Sequence, residues 1–321
     1  IFIPIMLSIG YDSMTAFIIC FLGPNLGYCA STIDPFNVLI AQGVIGIEGN
    51  PQLWLRAILW AIFTAAGIFW AMRYARRVKL DPKSSITYED DKQKRIEFSV
   101  TDASIEEEFT LRHELVLIDF AVGMGVIVWG LVTQGWYMDE ISMVFLAMGL
   151  LAGILGGLDE KTIAEEFVRG IADFAYAACI IGIARGILVV AEGGMIIDSI
   201  LNWLVGLLAG APSFIYTTFM YIVLGLLSLL VPSSSGLAAL TMPVMGPLTE
   251  LMGLNPEAAV TALQFANQTI NTISPVAGMT VAGLAVAKIS FGQWWKTIWK
   301  FFIFMVLFGL VATTISGLLP M

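Results

Sequence analysis

The chain contains little charge and few reactive side chains. Charged residues make up 13% of its 321 residues, and it has one histidine and three cysteines. The cysteines (Cys20, Cys29 and Cys179) lie in apolar segments without metal or redox spacing, so we expect free structural thiols. The sequence also has no phosphate-binding loop, no nucleophile-elbow motif and no dinucleotide-binding fingerprint. These absences argue against an enzyme, and an ATP-driven pump would need its nucleotide site on another chain.

Apolar residues dominate the composition. They make up 58% of the chain, and the mean hydropathy of +0.86 is more than a soluble domain of this length tolerates on its surface. We therefore predict an all-α polytopic membrane protein whose partner is the lipid bilayer, and we expect no nucleic-acid partner. A spanning helix needs about 20 apolar residues. Full spans are predicted at residues 3–22, 53–72, 115–135, 141–157, 171–191 and 297–318.

Two polar, proline-containing motifs interrupt the apolar runs. Residues 31–35 have the sequence STIDP, and residues 271–275, 240 positions later, have NTISP. Upstream of each, IPIM at residues 3–6 resembles MPVM at residues 242–245. Lipid cannot satisfy the backbone groups that a broken helix exposes, so such breaks are buried or line a cavity. The pattern predicts a duplicated fold with discontinuous helices, which is typical of secondary transporters.

The repeats divide the chain into three parts. Residues 1–77 are predicted to be the C-terminal part of the first repeat, with a broken helix at 24–37. Residues 114–321 form the second repeat, with a re-entrant hairpin at 213–250 and a broken helix at 257–287. The matching motif lies at residue 4 in the first repeat but about 129 residues into the second. About 125 residues of the first repeat are therefore expected to be absent, so that it is truncated. Residues 78–113 are predicted to be a cytoplasmic hydrophilic linker, and we favour a solvated segment over a docking site.

Positive charge orients the predicted spans. Of the 16 Lys and Arg residues, 14 lie in the linker or at span ends on the same side, which is therefore cytoplasmic. Both ends of the hairpin then lie outside, with Glu257 among the outer acidic residues and Arg56 as the basic exception. Interfacial helices are predicted at 159–170 and 289–300. The second is expected to be anchored by Trp294, Trp295 and Trp299.

The second repeat supplies neutral oxygen and amide groups at its hairpin tip and helix break. A broken helix exposes N–H groups and carbonyls together, and hydroxyl, amide and carbonyl oxygens suit sodium. The alternative is that these residues help helices pack in lipid. The predicted substrate- or ion-binding residues are Ser233, Ser234, Ser235, Gly236, Asn267, Thr269, Asn271, Thr272, Ser274 and Pro275. Sodium is assigned to Ser233, Ser234, Ser235, Thr272 and Ser274.

The first break and one isolated arginine complete the candidate site. The predicted binding residues of the first break are Thr32, Asp34, Pro35 and Asn37. A carboxylate at membrane depth is costly, so Asp34 either binds a cation or substrate or caps the half-helix after Pro35. Arg185 lies near the middle of the predicted 171–191 span. It is expected either to pair with an acidic side chain or to contact a carboxylate substrate.

These motifs resemble the YfcC-like branch of the C4-dicarboxylate anaerobic carrier family, within the ion transporter superfamily that includes divalent anion:sodium symporters. The resemblance covers nearly the whole chain and is most specific at residues 27–42, 182–186, 231–248 and 265–278. It implies two inverted repeats, each with a re-entrant hairpin and a discontinuous helix, in a homodimer that works by an elevator mechanism. The symporters carry Ser-Asn-Thr where this chain has serine at 233–235, and many YfcC-like proteins are expected to carry Asn at position 34.

The sequence therefore predicts a secondary active transporter in the cytoplasmic membrane. Its substrate is expected to be a small carboxylate-bearing metabolite of the C4-dicarboxylate kind, coupled to Na⁺ or H⁺, with no cofactor beyond that ion. Members of this branch are assigned to dicarboxylates or to arginine/ornithine exchange, so a basic amino-acid exchanger is the alternative. A channel should have a continuous polar pore lining, and a membrane-embedded enzyme a nucleophile with a base or a metal cluster. Neither pattern is visible.

Overall fold

The computed structural model describes residues 2–97, 110–134, 136, 138–196, 199, 203, 206 and 212–320, and every regular element in these ranges is helical. Two compact units are present: residues 1–98 together with 176–321, and residues 99–175. Four of the described helices are long and apolar enough to cross a membrane: Leu53–Leu80, Asp139–Gly156, Ser213–Leu230 and Phe291–Leu318. The composition of a multi-pass membrane protein is thus matched by its helices.

The helices follow one another in a simple order. We number them α1 (Phe2–Ser8), α2 (Ser13–Cys29, with a π turn at Ile18–Leu22), α3 (the π turn Pro35–Leu39 continued by Ile40–Ile45), α4 (Leu53–Leu80), α5 (Tyr88–Glu97), α6 (Leu111–Trp129), α7 (Met138–Gly156), α8 (Glu160–Gly193), α9 (Ser213–Leu230), α10 (Ser234–Leu251), α11 (Glu257–Asn271), α12 (Gly278–Ala287) and α13 (Phe291–Leu318). A 3₁₀ turn at Pro82–Ser84 joins α4 to α5, and a π turn at Gly130–Gln134 extends α6.

The core of the larger unit is built around α11. This helix packs against α9, α10, α13 and the C-terminal half of α2, and all but its last two residues are buried. Phe265 of α11 meets Phe63 of α4 edge to face, with ring centroids 5.6 Å apart. Gly309 lets α13 approach α9 closely, because a Cβ there would lie 2.5 Å from the Tyr221 hydroxyl oxygen. The polar residues of α11 are therefore held at fixed positions inside the protein.

The first predicted span is interrupted, and the first break occupies only part of its predicted range 24–37. Residues 3–22 do not form one helix, because α1 ends at Ser8 and Asp12 caps α2, accepting the Thr15 N–H at 2.8 Å. Residues 24–29 continue α2. The π turn at Ile18–Leu22 changes the hydrogen-bond pattern just before Pro24, so the helix continues without the backbone N–H that proline lacks. The chain leaves the helix only at residues 30–34.

Two predicted interfacial helices are instead the first turns of longer helices. Residues 160–170 are the first turns of α8, and residues 291–300 are the first turns of the 28-residue α13. The three tryptophans accordingly differ. Trp295 and Trp299 are exposed, whereas Trp294 is fully buried and T-stacked on Phe17 with centroids 4.9 Å apart. Trp294 is therefore a core residue, because α13 turns this face toward α2.

The hydrophilic linker is docked rather than solvated over residues 81–97, and residues 98–109 lie outside the described part of the chain. Asp91 accepts the Ser13 N–H at 2.9 Å, and Lys94 donates to the Ser13 hydroxyl at 2.8 Å. Asp91 and Lys94 also form an ion pair at 3.4 Å, although both are buried. Burial lowers the pKa of Lys94, and Asp91 opposes that shift. Part of this charged segment forms a helix, α5, whose polar face hydrogen-bonds to the start of α2.

Asp12 links this docked helix to the membrane helices, and its removal should release α5. Besides capping α2, its carboxylate accepts hydrogen bonds from the Tyr74 hydroxyl at 2.8 Å and the Ser85 hydroxyl at 2.5 Å. The Asp12→Ala variant leaves these donors unpaired in a buried setting. We expect trypsin to cleave after Lys94 and Arg95 at least tenfold faster than in the wild type, as measured by timed proteolysis and mass spectrometry. Glu89→Ala, which removes an exposed ion pair on the same helix, is the matched control and should leave the rate unchanged; equal rates in both variants would contradict the docking role.

Candidate functional site

Helices α9 and α10 form an antiparallel hairpin whose tip is residues 231–233. The Tyr216 hydroxyl near the start of α9 lies 2.8 Å from the Thr249 hydroxyl near the end of α10, so the two ends of the hairpin are together. At the tip, Ser233 caps α10 by accepting the Gly236 N–H at 3.3 Å. Its hydroxyl also lies 3.5 Å from that of Ser235. The sequence Pro-Ser-Ser-Ser-Gly thus ends one helix and starts the next.

Asn267 of α11 is the centre of a polar cluster beneath this tip. Its side-chain oxygen accepts from the Ser234 hydroxyl at 3.0 Å, from Gln268 Nε2 at 2.9 Å and from Asn271 Nδ2 at 3.2 Å. Its Nδ2 donates to the Ser228 hydroxyl at 3.3 Å, and Gln268 also donates to Ser234 at 2.9 Å. Asn267 is fully buried. The hairpin tip and the end of α11 are therefore joined by hydrogen bonds between neutral groups.

Asn271 connects the cluster to the freed backbone of the hairpin tip. Its Nδ2 donates to the Pro232 carbonyl at 2.8 Å, while its Oδ1 is buried without a hydrogen-bond partner. Its own carbonyl accepts from the Thr280 hydroxyl. An unpaired buried oxygen is unfavourable unless a ligand supplies the missing contact. Asn271 is thus the residue of this cluster with spare capacity for a cation or a hydrogen-bond donor.

The second helix break spans residues 272–277 and is held by polar side chains. The Thr272 hydroxyl bridges Asn25 Oδ1 and the Gln268 carbonyl, both at 2.8 Å. The Thr272 carbonyl accepts from the indole N–H of Trp294 at 2.9 Å. Ser274 is buried and accepts the Val276 N–H at 3.3 Å, and Pro275 is exposed beside it. In this arrangement Thr272 and Ser274 brace the break through these contacts, none of which involves the three serines of the tip.

The remaining predicted residues of this half fall at the edge of the cluster or away from it. Gly236 is exposed at the tip. Thr269 is buried on another face of α11, where its hydroxyl lies 3.9 Å from Cys29 Sγ of α2. The backbone of Arg185 lies within α8, but its side chain is outside the described part of the structure.

The first break, at residues 30–34, places a buried carboxylate beside a buried amide. Asp34 caps α3, which begins at Pro35, and its Oδ1 accepts the Phe36 N–H at 2.8 Å. Its Oδ2 is buried without a hydrogen-bond partner, as are both polar atoms of the fully buried Asn37 amide. Thr32 contributes its carbonyl, which accepts from Asn50 Nδ2 at 2.9 Å. Asp34 therefore has the predicted capping role and one free oxygen as well.

Several residues that hold the site together were not singled out from the sequence. Gln264 of α11 donates to the Ser31 carbonyl at 2.8 Å, which satisfies backbone freed by the first break. Gln268 and Ser228 complete the cluster around Asn267. Glutamines within an apolar helix, spaced four apart at 264 and 268, were the available signal. Their partners on the other elements could not be found without the fold.

A buried ion pair fixes the opposite end of α11. Arg56 NH2 of α4 lies 2.6 Å from Glu257 Oε2, and both side chains are buried. Gln42 donates to the other Glu257 oxygen at 2.7 Å, and Asn50 accepts from Arg56 at 2.8 Å. Both charged residues were expected in outer loops. The structure instead places them in one hydrogen-bonded network that joins the two halves of the larger unit.

The donor set fits a small hard cation better than a transition metal. The described residues contain no cluster of three or more His, Cys, Asp or Glu side chains that could hold a metal ion. The polar atoms at the two breaks are hydroxyl, amide and carbonyl groups with one carboxylate, Asp34. Alkali and other hard cations prefer such oxygens. Asp34, Asn37 and Asn271 have unpaired buried oxygens that could accept such an ion, and Ser31 Oγ and Gln264 Oε1 at the first break are also unpaired.

The membrane-length helices define a multi-pass membrane protein, and buried polar groups at helix breaks are typical of carriers. Comparison with known families agrees: the sequence model of the C4-dicarboxylate anaerobic carrier family matches residues 1–317. The chain belongs to this family.

Two relatives extend the match. An uncharacterized protein of Haemophilus influenzae is 31% identical over 320 residues, covering 98% of this chain and 62% of its own length. A protein of Escherichia coli named "Putative basic amino acid antiporter YfcC" is 32% identical over 305 residues, covering 91% of this chain and 60% of its own. The YfcC-like resemblance is thereby confirmed. The chain spans about three-fifths of the length of these relatives, and no solved structure matches it.

Proposed function

We propose that the protein is a secondary active transporter of a small carboxylate-bearing metabolite, C4-dicarboxylate-like, coupled to Na⁺ or H⁺ across the bacterial inner membrane. The observation that carries this proposal is the pair of helix breaks whose buried Asp34, Asn37 and Asn271 atoms lack partners. Burying such atoms without partners costs about 1–3 kcal/mol each, so a polar solute or ion that satisfies them is the simplest explanation. The membership in a carrier family supports the same class.

The proposed architecture is two inverted repeats with an elevator movement. A helix, a break, a short helix and a 28-residue helix occur in that order twice, as α2–α3–α4 and as α11–α12–α13. On this interpretation the hairpin 213–250 re-enters the membrane from one side. The proposed assembly is a homodimer.

The proposed coupling-ion site lies under the hairpin tip. Sodium would be held by oxygens of Ser233, Ser234 and Ser235 with the Asn271 amide. The hydrogen bonds of Thr272 and Ser274 support this site from the break side. A proton is the alternative coupling ion, with Asp34 as its carrier. Arg185 stays a proposed contact for a substrate carboxylate or a buried pairing partner.

A basic amino-acid exchanger is the second candidate. The Escherichia coli relative carries the name of a basic amino acid antiporter. One observation in this chain favours that substrate: the free Oδ2 of the buried Asp34 could pair with a cationic substrate group. The two candidates differ in which side chain meets the substrate charge, Arg185 for a dicarboxylate or Asp34 for an amine.

Uptake into proteoliposomes by the full-length protein tests the function. Labelled succinate, citrate, arginine and ornithine are offered under imposed Na⁺ or H⁺ gradients. Gradient-driven accumulation of a dicarboxylate supports the symporter, and arginine uptake that needs internal ornithine supports the exchanger. Flux of none of the four compounds would overturn both substrate assignments.

The Asp34→Asn variant tests whether Asp34 belongs to the proposed site. Asparagine keeps the capping oxygen for Phe36 but removes the charge, so the fold should be retained. If Asp34 holds a cation or an amine, we expect uptake to fall at least tenfold, with the KM for the cationic partner raised. Asp81→Asn, an exposed cap on the cytoplasmic side, is the matched control. Unchanged uptake and ion dependence in Asp34→Asn would remove Asp34 from the proposed site.

A further inference from the structure

A basic groove lies between the C-terminal end of α4 and the N-terminal end of α13, away from the helix breaks. It has a volume of about 1040 Å³ and is lined by Arg73, Arg76, Arg77, Lys296 and Lys300. No acidic residue lines it among the residues that the structure describes. The five cations come from two helices that are both long enough to span a membrane. The groove is therefore a concentrated positive site at the ends of two membrane-length helices.

The ion pairs found among the described residues do not neutralise these cations. Those pairs lie elsewhere, at Arg56, Lys92, Lys94, Lys161 and Arg169. Within the groove, Arg77 stacks over the Tyr74 ring at 5.1 Å, and Lys300 lies 5.4 Å from the Trp299 ring centroid. Such contacts orient a cation while leaving its N–H groups available to an anion.

Apolar side chains continue the groove toward the membrane. Phe69 and Met72 line it from α4 and are each about two-thirds exposed, at 68% and 67%. Trp299 of α13 borders it and is partly exposed, which is a common position for a tryptophan at headgroup depth. A soluble anion would use only the basic end. A ligand with a phosphate head and acyl chains would use both.

We propose that this groove binds an anionic phospholipid, with the phosphate on the Arg73, Lys296 and Lys300 end and the acyl chains against Phe69 and Met72. Lys and Arg near span ends set the orientation of a membrane protein whether or not they lie in a groove. A concave groove lined by two helices additionally forms a defined binding site, as do other basic pockets between spanning helices. The lipid would tie α4 to α13 at the membrane surface.

Native mass spectrometry of the purified protein tests the site. Phosphatidylglycerol is titrated against phosphatidylcholine, and the dissociation constant of the first bound lipid is measured. The test variant is Arg73→Gln/Lys296→Gln/Lys300→Gln. The matched control is Arg169→Gln/Lys92→Gln/Lys161→Gln, which removes the same residue types outside the groove. Each basic residue at a surface contributes about fivefold to anionic-lipid binding, so the test triple should weaken it roughly a hundredfold.

The outcomes are distinct. We expect preference for phosphatidylglycerol, its loss in the test triple and less than a twofold change in the control. Equal losses in both triples would show a diffuse charge effect, and equal affinity for phosphatidylcholine would remove the anion requirement; either result overturns the proposal. A parallel titration with glycerol 3-phosphate addresses the source of the phosphate. Displacement of the lipid by this soluble anion at equal concentration would overturn the choice of a lipid.

Discussion

Replacing Glu257 by alanine is expected to destabilise the protein strongly, by removing one half of its buried ion pair. The substitution leaves the Arg56 guanidinium buried at 2% exposure without its ion-pair partner. Breaking one side of a buried pair typically costs about 3–5 kcal/mol, because the remaining charge is uncompensated. The Gln42 amide also loses its shorter hydrogen bond and keeps only the contact with Asn50 at 3.4 Å. We expect the free energy of unfolding, measured by denaturant titration in detergent, to fall by about this amount.

A double substitution distinguishes an unpaired charge from a loss of packing. Arg56→Met with Glu257→Gln removes both charges and keeps an oxygen for Gln42, so it should be more stable than Glu257→Ala. Glu89→Ala serves as the control, since its pair with Lys92 is exposed to solvent and should contribute nothing measurable. If the double variant were as unstable as Glu257→Ala, the charge would not be the cause.

The Asn267→Ala variant is expected to cause the largest loss of transport with the fold retained. It removes the acceptor shared by Ser234, Gln268 and Asn271 and the donor to Ser228. The hairpin tip then loses one of its hydrogen bonds to α11, while those from Gln268 to Ser234 and from Asn271 to the Pro232 carbonyl remain. Each buried group left unpaired costs about 1–3 kcal/mol, and about 1.4 kcal/mol corresponds to a tenfold change in an equilibrium constant. We expect uptake per folded molecule to fall by roughly 10–100-fold.

Two further variants make this result interpretable. Thr313→Ala removes a buried hydroxyl that bonds its own helix, at the Gly309 carbonyl, and should retain wild-type uptake. Ser234→Ala removes one hydrogen-bonded partner of Asn267 and should show an intermediate loss. Wild-type uptake in Asn267→Ala would separate the polar cluster from transport. A loss of folded protein in Asn267→Ala would move the test to Ser234→Ala, where wild-type uptake has the same meaning.

The membrane class and the positions of the two polar breaks could be predicted from sequence because they depend on local chemistry. Apolar length specifies membrane helices, and a proline preceded by an aspartate specifies a helix start, as at Asp34. The exact ends of the first break could not, since Pro24 is tolerated after a π turn that no sequence signal announces. Residues 81–97 were misassigned because a charged helix and a solvated linker have the same composition, and only the docked Asp91 and Lys94 distinguish them.

The sequence alone determined that this protein is all-helical, lies in a membrane, belongs to a carrier family and carries polar groups at two helix breaks. Only the tertiary structure decided which of those groups already have partners. In the folded protein Asn267 contacts the hairpin tip, whereas Thr269 lies on another face of α11. Arg56 pairs with Glu257, 201 residues away in sequence, and Trp294 is buried. The physical reason is that composition and periodicity act within a helix. Hydrogen-bond partners and charge compensation are fixed by contacts between helices distant in sequence.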